Sequence, residues 1–313
     1  MSLSVLKAGL QTTLQSRPRV GLRHLGVAAS GAADPLSLAL ANRLLGNAWD
    51  APALEATLLG PTLRFDVACA FALTGALAAA SLNGRPVDFH ETLYAETGDE
   101  LSIGAAEQGA RVYMAVGGGF IADQVLGSKS TYLLARLGGH HGRALEDGDE
   151  LPVTPVSATL LQTPEEFRPP LGSSWALRAC ESFEISQLDA ESRDKLFSTN
   201  WTVARRADRM GLQMEGPRLD ISSHGRMPSA PVFPGTVQCP ESGTPYVLSV
   251  DAGTVGGYPR VAQVARVDRH LLGQLRPGDH VRLLLREPQT AIDELRQKID
   301  YWRAWLPDVD QLI

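Results

Sequence analysis

Along this chain the apolar residues come in short runs, broken every few positions by Gly or Pro. FALTGAL, RVYMAV, PYVLSV and HVRLLLRE are each shorter than an ordinary helix and suit a pleated, half-buried surface. In RVYMAV, Val112, Met114 and Val116 recur at a period of two, which places them on one face of a strand. LNGRPV sets Asn83-Gly84 between two strand-like runs, and a tight hairpin turn needs the positive φ that both residues tolerate. A Gly-Asp pair feeds a strand three times, at Gly98, Gly148 and Gly278, hinting at related β units. Many short strands between turns predict a mainly β chain of barrel or sandwich type.

Helical spacing is rare. DPLSLALANRLLGN (34–47) has Asp34 as N-cap, Pro35 at the first helical position, Leu36, Leu40 and Leu44 on one face, and Gly46 as a left-handed stop. A C-terminal helix is predicted from Ile292, Leu295, Ile299, Trp302 and Leu306, with Pro307 ending it. Its Tyr301, Trp302 and Trp305 would form either core or a docking face. AESRDKLF is a shorter candidate, capped by Asp189. The Pro/Ser/Thr-rich stretch 156–174 reads as a linker between an N-terminal β-rich half, 1–155, and a C-terminal half, 175–313.

The length, 313 residues, suits two domains, and 44% hydrophobic against 20% charged residues suits a sizeable core. A net charge of −6 argues against a general nucleic-acid binder. Three separated cysteines argue against a disulfide framework or a zinc site, and fit a reducing compartment. No metal ligands stand out: His140 and His141 are adjacent, not one helical turn apart. Without a signal-like start or a long apolar run, a soluble, cytoplasmic protein with no membrane contact is expected.

Four segments carry candidate chemistry. GVAASGAADPLS combines small residues with a helix start, so Ser30, Gly31 and Asp34 would meet a ligand, unless Asp34 is only a cap. GSKST (127–131) looks like a phosphate loop but misses its register, because Ser128 separates Gly127 from Lys129 and Ala122 stands where a Gly is needed. It opens a polar loop running to Asp149, of the length and polarity that function uses. RRADRMG offers Arg206, Asp208 and Arg209 as a fork for a carboxylate or phosphate, or as a solvated charge cluster. In SVDAGTVGGYPR, alternation from Leu248 and Val250 leaves Ser249 and Asp251 on the opposite strand face, before a loop containing Thr254, Gly256, Gly257 and Tyr258. Asp251 would be a site carboxylate or the head of an Asx-turn.

Taken in order, these segments resemble the biotin-dependent carboxyltransferase-like family, which includes the C-type subunits of 5-oxoprolinase, allophanate hydrolase subunit 2-like proteins and the kinase-inhibitor antagonist. GVAASGAADPLSLALANRLLGN, LEATLLGPTLRF, YMAVGGGF, GSKST, DRMGLQMEG and DAGTVGGYPR carry the resemblance, from about Gly21 to Leu285. Ala28, Ala33 and Cys239 depart from the family pattern, in positions expected in or beside loops. The resemblance implies a cyclophilin-like barrel architecture and function in partnership with a B-type subunit (a kinase-inhibitor-like protein) and an A-type subunit. It implies ATP with Mg shared with the partner, a small amide substrate and no biotin attached to this chain. On that basis Arg209 and Lys129 are expected to hold a carboxylate or phosphate, Asp251 to act as a base or to anchor a metal-bound water, and Asp34 to order the first loop. Ser128, Arg206, Asp208 and Thr254 are expected to contact substrate or nucleotide, and Gly256, Gly257 and Tyr258 to shape the pocket. Hydrolysis of 5-oxoproline is the first expectation. Carboxyl transfer to urea or allophanate, and non-catalytic binding of a kinase inhibitor, are the alternatives.

Overall fold

The computed structural model describes residues 1–222 and 227–313. The chain divides into two compact units. Unit 1 comprises Met1–Arg19, Ser30–Leu171 and Trp302–Leu312, and unit 2 comprises Val20–Ala29, Gly172–Tyr301 and Ile313. The break at 171/172 falls inside the expected linker, but Val20–Ala29 clusters with unit 2 and the C-terminal segment with unit 1. Nor is 156–171 a free connector. Leu161 N–H donates to Thr92 Oγ1 at 3.1 Å, Thr163 N–H donates to His90 O at 2.8 Å, and the Phe167 ring lies 5.5 Å from that of Trp302. The apolar residues among its prolines draw it onto unit 1.

Unit 1 is a nine-stranded sheet. Its path runs through Gln11–Gln15, Ala53–Thr57, Glu100–Val116, Thr62–Phe65, Ser2–Lys7 and Glu150–Pro152, while Cys69–Leu82 also pairs along Glu100–Val116. Val112, Met114 and Val116 face one buried cluster, as their alternation predicts. Tyr113 and Ala115 face a second, which Leu38, Ala41 and Leu44 of helix α1 (Pro35–Leu44) complete. The strand is therefore buried on both faces. Asn83 and Gly84 turn the expected hairpin with φ of 52° and 76°.

Unit 2 is a closed seven-stranded barrel in the order Ser174–Glu181, Arg260–Val264, Thr236–Gln238, Tyr246–Leu248, Gly211–Glu215, Trp201–Ala207 and His280–Leu285. The last strand closes on the first by parallel pairing, from Ser174 with His280 to Ala179 with Leu285. Trp201, Leu177, Val247 and Val281 are among its buried side chains. Helix α2 (Ala190–Ser198) starts at Asp189, whose carboxylate accepts from Ser192 N–H at 2.7 Å. Helix α3 (Pro288–Arg303) begins before the expected Ile292, which is itself 43% exposed. No described helix is long and apolar enough to cross a membrane.

The Gly-Asp recurrence is a repeated structural device. Gly98, Gly148 and Gly278 have φ of 94°, 93° and 92°. Each following Asp accepts a hydrogen bond from the backbone N–H three residues earlier: Asp99 from Glu96 at 2.8 Å, Asp149 from Glu146 at 2.8 Å, Asp279 from Arg276 at 3.2 Å. Each pair also brackets one residue of a neighbouring strand, the Gly N–H donating to its carbonyl and the Asp carbonyl accepting its N–H: Phe65, Val5 and Val203 respectively. The carboxylate cap and the positive φ of Gly together fix where the next strand starts.

Candidate functional site

In unit 1 the loop holding Ser30 packs on GSKST, and the hydroxyls of both are turned to the backbone. Ser30 Oγ donates to Thr131 O at 2.9 Å, Ser128 Oγ to Arg17 O at 2.7 Å and Thr131 Oγ1 to Leu14 O at 2.9 Å. Ser130 Oγ accepts from Ser16 N–H at 2.9 Å. Ser128, Ser130 and Thr131 are at most 1% exposed. Ser128 thus stitches two chain segments together and presents nothing to a ligand. These hydroxyls do not fit a nucleotide's phosphates or its Mg. Gly139 lies so close behind the stitch that a Cβ there would fall 1.8 Å from Thr131 Oγ1. Lys129 is half-buried, and among the described residues its ammonium meets no ion-pair or hydrogen-bond partner.

Asp34 is the N-cap of α1, accepting from Ser37 N–H at 3.1 Å and Ser37 Oγ at 2.6 Å. Its own N–H donates to Tyr113 Oη at 2.8 Å, and Tyr113 Oη donates to Glu55 Oε2 at 2.7 Å. Glu55 also accepts from Ala33 N–H at 2.8 Å and lies 3.3 Å from Arg111 Nε. Burial, with the Glu55 and Asp34 charges, holds the Tyr113 hydroxyl well above its ordinary pKa. Asp34 does order the first loop, through a network that sequence reading missed. Glu55 sits in LEATLLGP, and its one signal was a charged residue inside an otherwise apolar run.

In unit 2, Arg209 and Asp251 meet each other. Nε and one terminal nitrogen of Arg209 donate to the two carboxylate oxygens at 2.8 and 3.0 Å, with the residues 4% and 3% exposed. With both oxygens so engaged, the carboxylate is poorly placed to take a substrate proton, and the pair clamps the DRMG turn to the DAGT loop. The strand stops at Leu248, so Asp251 lies beyond it, and Ser249 and Asp251 are the buried positions. Asp208 accepts from Met210 and Gly211 N–H at 2.7 and 3.1 Å, making an Asx-turn.

The same unit holds a cleft of about 710 Å³, lined by Arg206, Gln238, Glu241, Ser242, Tyr246 and Tyr258 among others. The Arg206 guanidinium is exposed and meets no ion-pair partner among the described residues. Gln238 is buried and donates to Tyr258 O at 3.1 Å, which ties the glycine loop to the barrel. A Cβ on Gly256 would fall 2.5 Å from Gln238 Nε2, so a larger residue there would have to displace the Gln238 amide. Thr254 contributes its carbonyl, accepting from Val232 N–H at 3.1 Å. Arg23 secures the same loop by donating to Gly253 O at 3.1 Å, and lies 5.2 Å from the centre of the Phe233 ring. A Cβ on Gly257 would make only ordinary van der Waals contact, the nearest atom being Met227 O at 3.6 Å. Ala28, Ala33 and Cys239 lie in or beside loops, as expected, and all three are buried; burial pushes the Cys239 thiol up to about 12. Chemically, the cleft offers the Arg206 cation, the Glu241 carboxylate, two tyrosines and an amide, a mixed set of donors and acceptors that suits a small polar amide.

The model of the carboxyltransferase domain, subdomain A and B, matches residues 25–285. The chain is 34% identical to the C-type subunit of 5-oxoprolinase from Escherichia coli (strain K12), covering 97% of this chain and 98% of that one. It is 31% identical to urea amidolyase of Lachancea kluyveri, over 90% of this chain and 17% of the relative. The crystal structure of the K. lactis urea amidolyase matches with a TM-score of 0.89 at 27% identity, over 96% of this chain and 20% of that one. The chain therefore belongs to the family of carboxyltransferase domains, subdomains A and B.

Proposed function

We propose that the chain is the C-type subunit of an ATP-dependent 5-oxoprolinase, acting with B-type and A-type subunits on 5-oxoproline. One observation carries the reading: the similarity to the C-type 5-oxoprolinase subunit runs end to end in both chains, 97% and 98%, whereas the urea amidolyase match is a small part of a longer protein. The unit 2 cleft supports it. 5-Oxoproline carries a carboxylate and a cyclic amide; Arg206 can hold the first, and Tyr246 and Tyr258 line the same cleft as candidate donors to the second. As the amide carbonyl gains negative charge on activation, donors aimed at it lower the barrier. ATP and its Mg are assigned to the shared, partner-bearing side, because the GSKST hydroxyls of this chain are committed to its backbone. In unit 1, Lys129 is kept as a separate contact for an anionic ligand.

The test is ADP and glutamate release from 5-oxoproline with all three subunits, and with each omitted. Release only in the full set, reduced about 10–100-fold by Arg206→Gln through KM, is expected, since a lost charge-assisted contact is worth about 1.5–3 kcal/mol. Turnover of urea with a separate biotinylated carrier, and none of 5-oxoproline, would replace this reading with carboxyl transfer, which the TM-score of 0.89 to a urea amidolyase favours.

A further inference from the structure

Unit 1 contains a groove that shares no residue with the cleft above. Strand Cys69–Leu82 loses register with Glu100–Val116 three times between Gly75 and Ala80. Such bulges bend a strand and open its ladder, and they recur beside functional sites. Here they border a groove of about 960 Å³. Leu77, Val87, Phe89 and Leu171 give it apolar walls, and His90 and Arg168 also line it.

The His90 backbone has φ of 66°, uncommon for a residue with a side chain. It is held on both sides: its N–H donates to Leu73 O at 2.8 Å and its carbonyl accepts from Thr163 N–H at 2.8 Å. The residue is 9% exposed, and among the described residues its Nδ1 has no hydrogen-bond partner. Burial, then the Arg168 charge, pushes the ring's pKa down to about 4, so it is neutral at pH 7. A neutral imidazole has one N–H. With Nδ1 enclosed and offered neither donor nor acceptor, Nε2 is the ring nitrogen left to meet a ligand, and as N–H it would be the donor. Arg168 is anchored by Nε to Thr163 O at 3.0 Å, and its other nitrogens make no hydrogen bond or ion pair among the described residues. Thr163 thereby ties both donors to one wall. Asp88, exposed at the same groove, would repel a second negative charge.

We propose that this groove binds a small monocarboxylate with an apolar body, its carboxylate held by Arg168 and the His90 N–H and its hydrocarbon lying on Leu77, Val87 and Phe89. The site is independent of the 5-oxoprolinase reading, because its test needs neither ATP nor partner subunits.

The probe is hexanoate, titrated into the full chain by calorimetry and by NMR of the histidine rings, with hexanol and succinate as controls. Saturable binding of hexanoate is expected, with His90 the ring that shifts and both controls binding at least about tenfold more weakly. Arg168→Gln should weaken hexanoate about tenfold or more at an unchanged melting temperature. His90→Asn retains a residue that tolerates positive φ and should weaken it several-fold while the protein still folds. Absence of saturation, equal binding of hexanol, or an unaffected Arg168→Gln protein would each overturn the proposal.

Discussion

The Arg209–Asp251 pair offers the sharpest test of how unit 2 is built, because two roles for Asp251 predict opposite results. As a clamp, Asp251 neutralises a guanidinium that is 4% exposed, through two hydrogen bonds of 2.8 and 3.0 Å. Asp251→Leu would then take both of these hydrogen bonds and the facing charge from a buried guanidinium, a loss of about 3–5 kcal/mol. For a unit of this size each kcal/mol lowers the midpoint by about 2–4 °C, so a fall of roughly 6–20 °C is expected. Arg209→Met should cost a similar amount by stranding the carboxylate. The double variant should lose clearly less than the sum, since both charges are then gone from the site; a coupling of about 2–4 kcal/mol would follow. The assay is thermal and urea unfolding of the four proteins, followed by circular dichroism. A stable Asp251→Leu protein, or strictly additive losses, would refute the clamp and restore Asp251 as a candidate base.

Two further outcomes follow from the geometry. Gly139→Ala places a Cβ 1.8 Å from Thr131 Oγ1 at a backbone φ of 63°, so urea unfolding should show a loss of about 2–4 kcal/mol, the combined cost of a left-handed alanine and an overpacked site. His90 is held neutral, with a folded pKa of about 4 against an unfolded value of about 6.5, so its contribution is present above pH 6.5 and fades as pH falls toward 4. Stability measured across that window should drop by about 3 kcal/mol on its account, and His90→Asn should remove that part of the slope.

The sequence alone determined the parts of this protein that depend on neighbours along the chain. The Asn83-Gly84 turn, the Asp34 and Asp189 caps and the alternation in RVYMAV all appear as read, because each is a local pattern of φ, hydrogen bonding or burial. The three Gly-Asp turns were visible as a repeat, although their common task of bracketing a neighbouring strand was not, since that strand lies far away in sequence. Tertiary structure decided which polar residues face each other. GSKST reads as a ligand loop until Arg17 O and Leu14 O are found beneath its hydroxyls, more than a hundred residues earlier. Arg206 and Arg209 are equivalent as letters; only the fold buries Arg209 on Asp251 and leaves Arg206 at a cleft. Glu55 and Tyr113, 58 residues apart, met without any motif to announce them. A turn or a cap is set by backbone sterics over a few residues. The partner of a charge is set by which distant strand happens to pack against it.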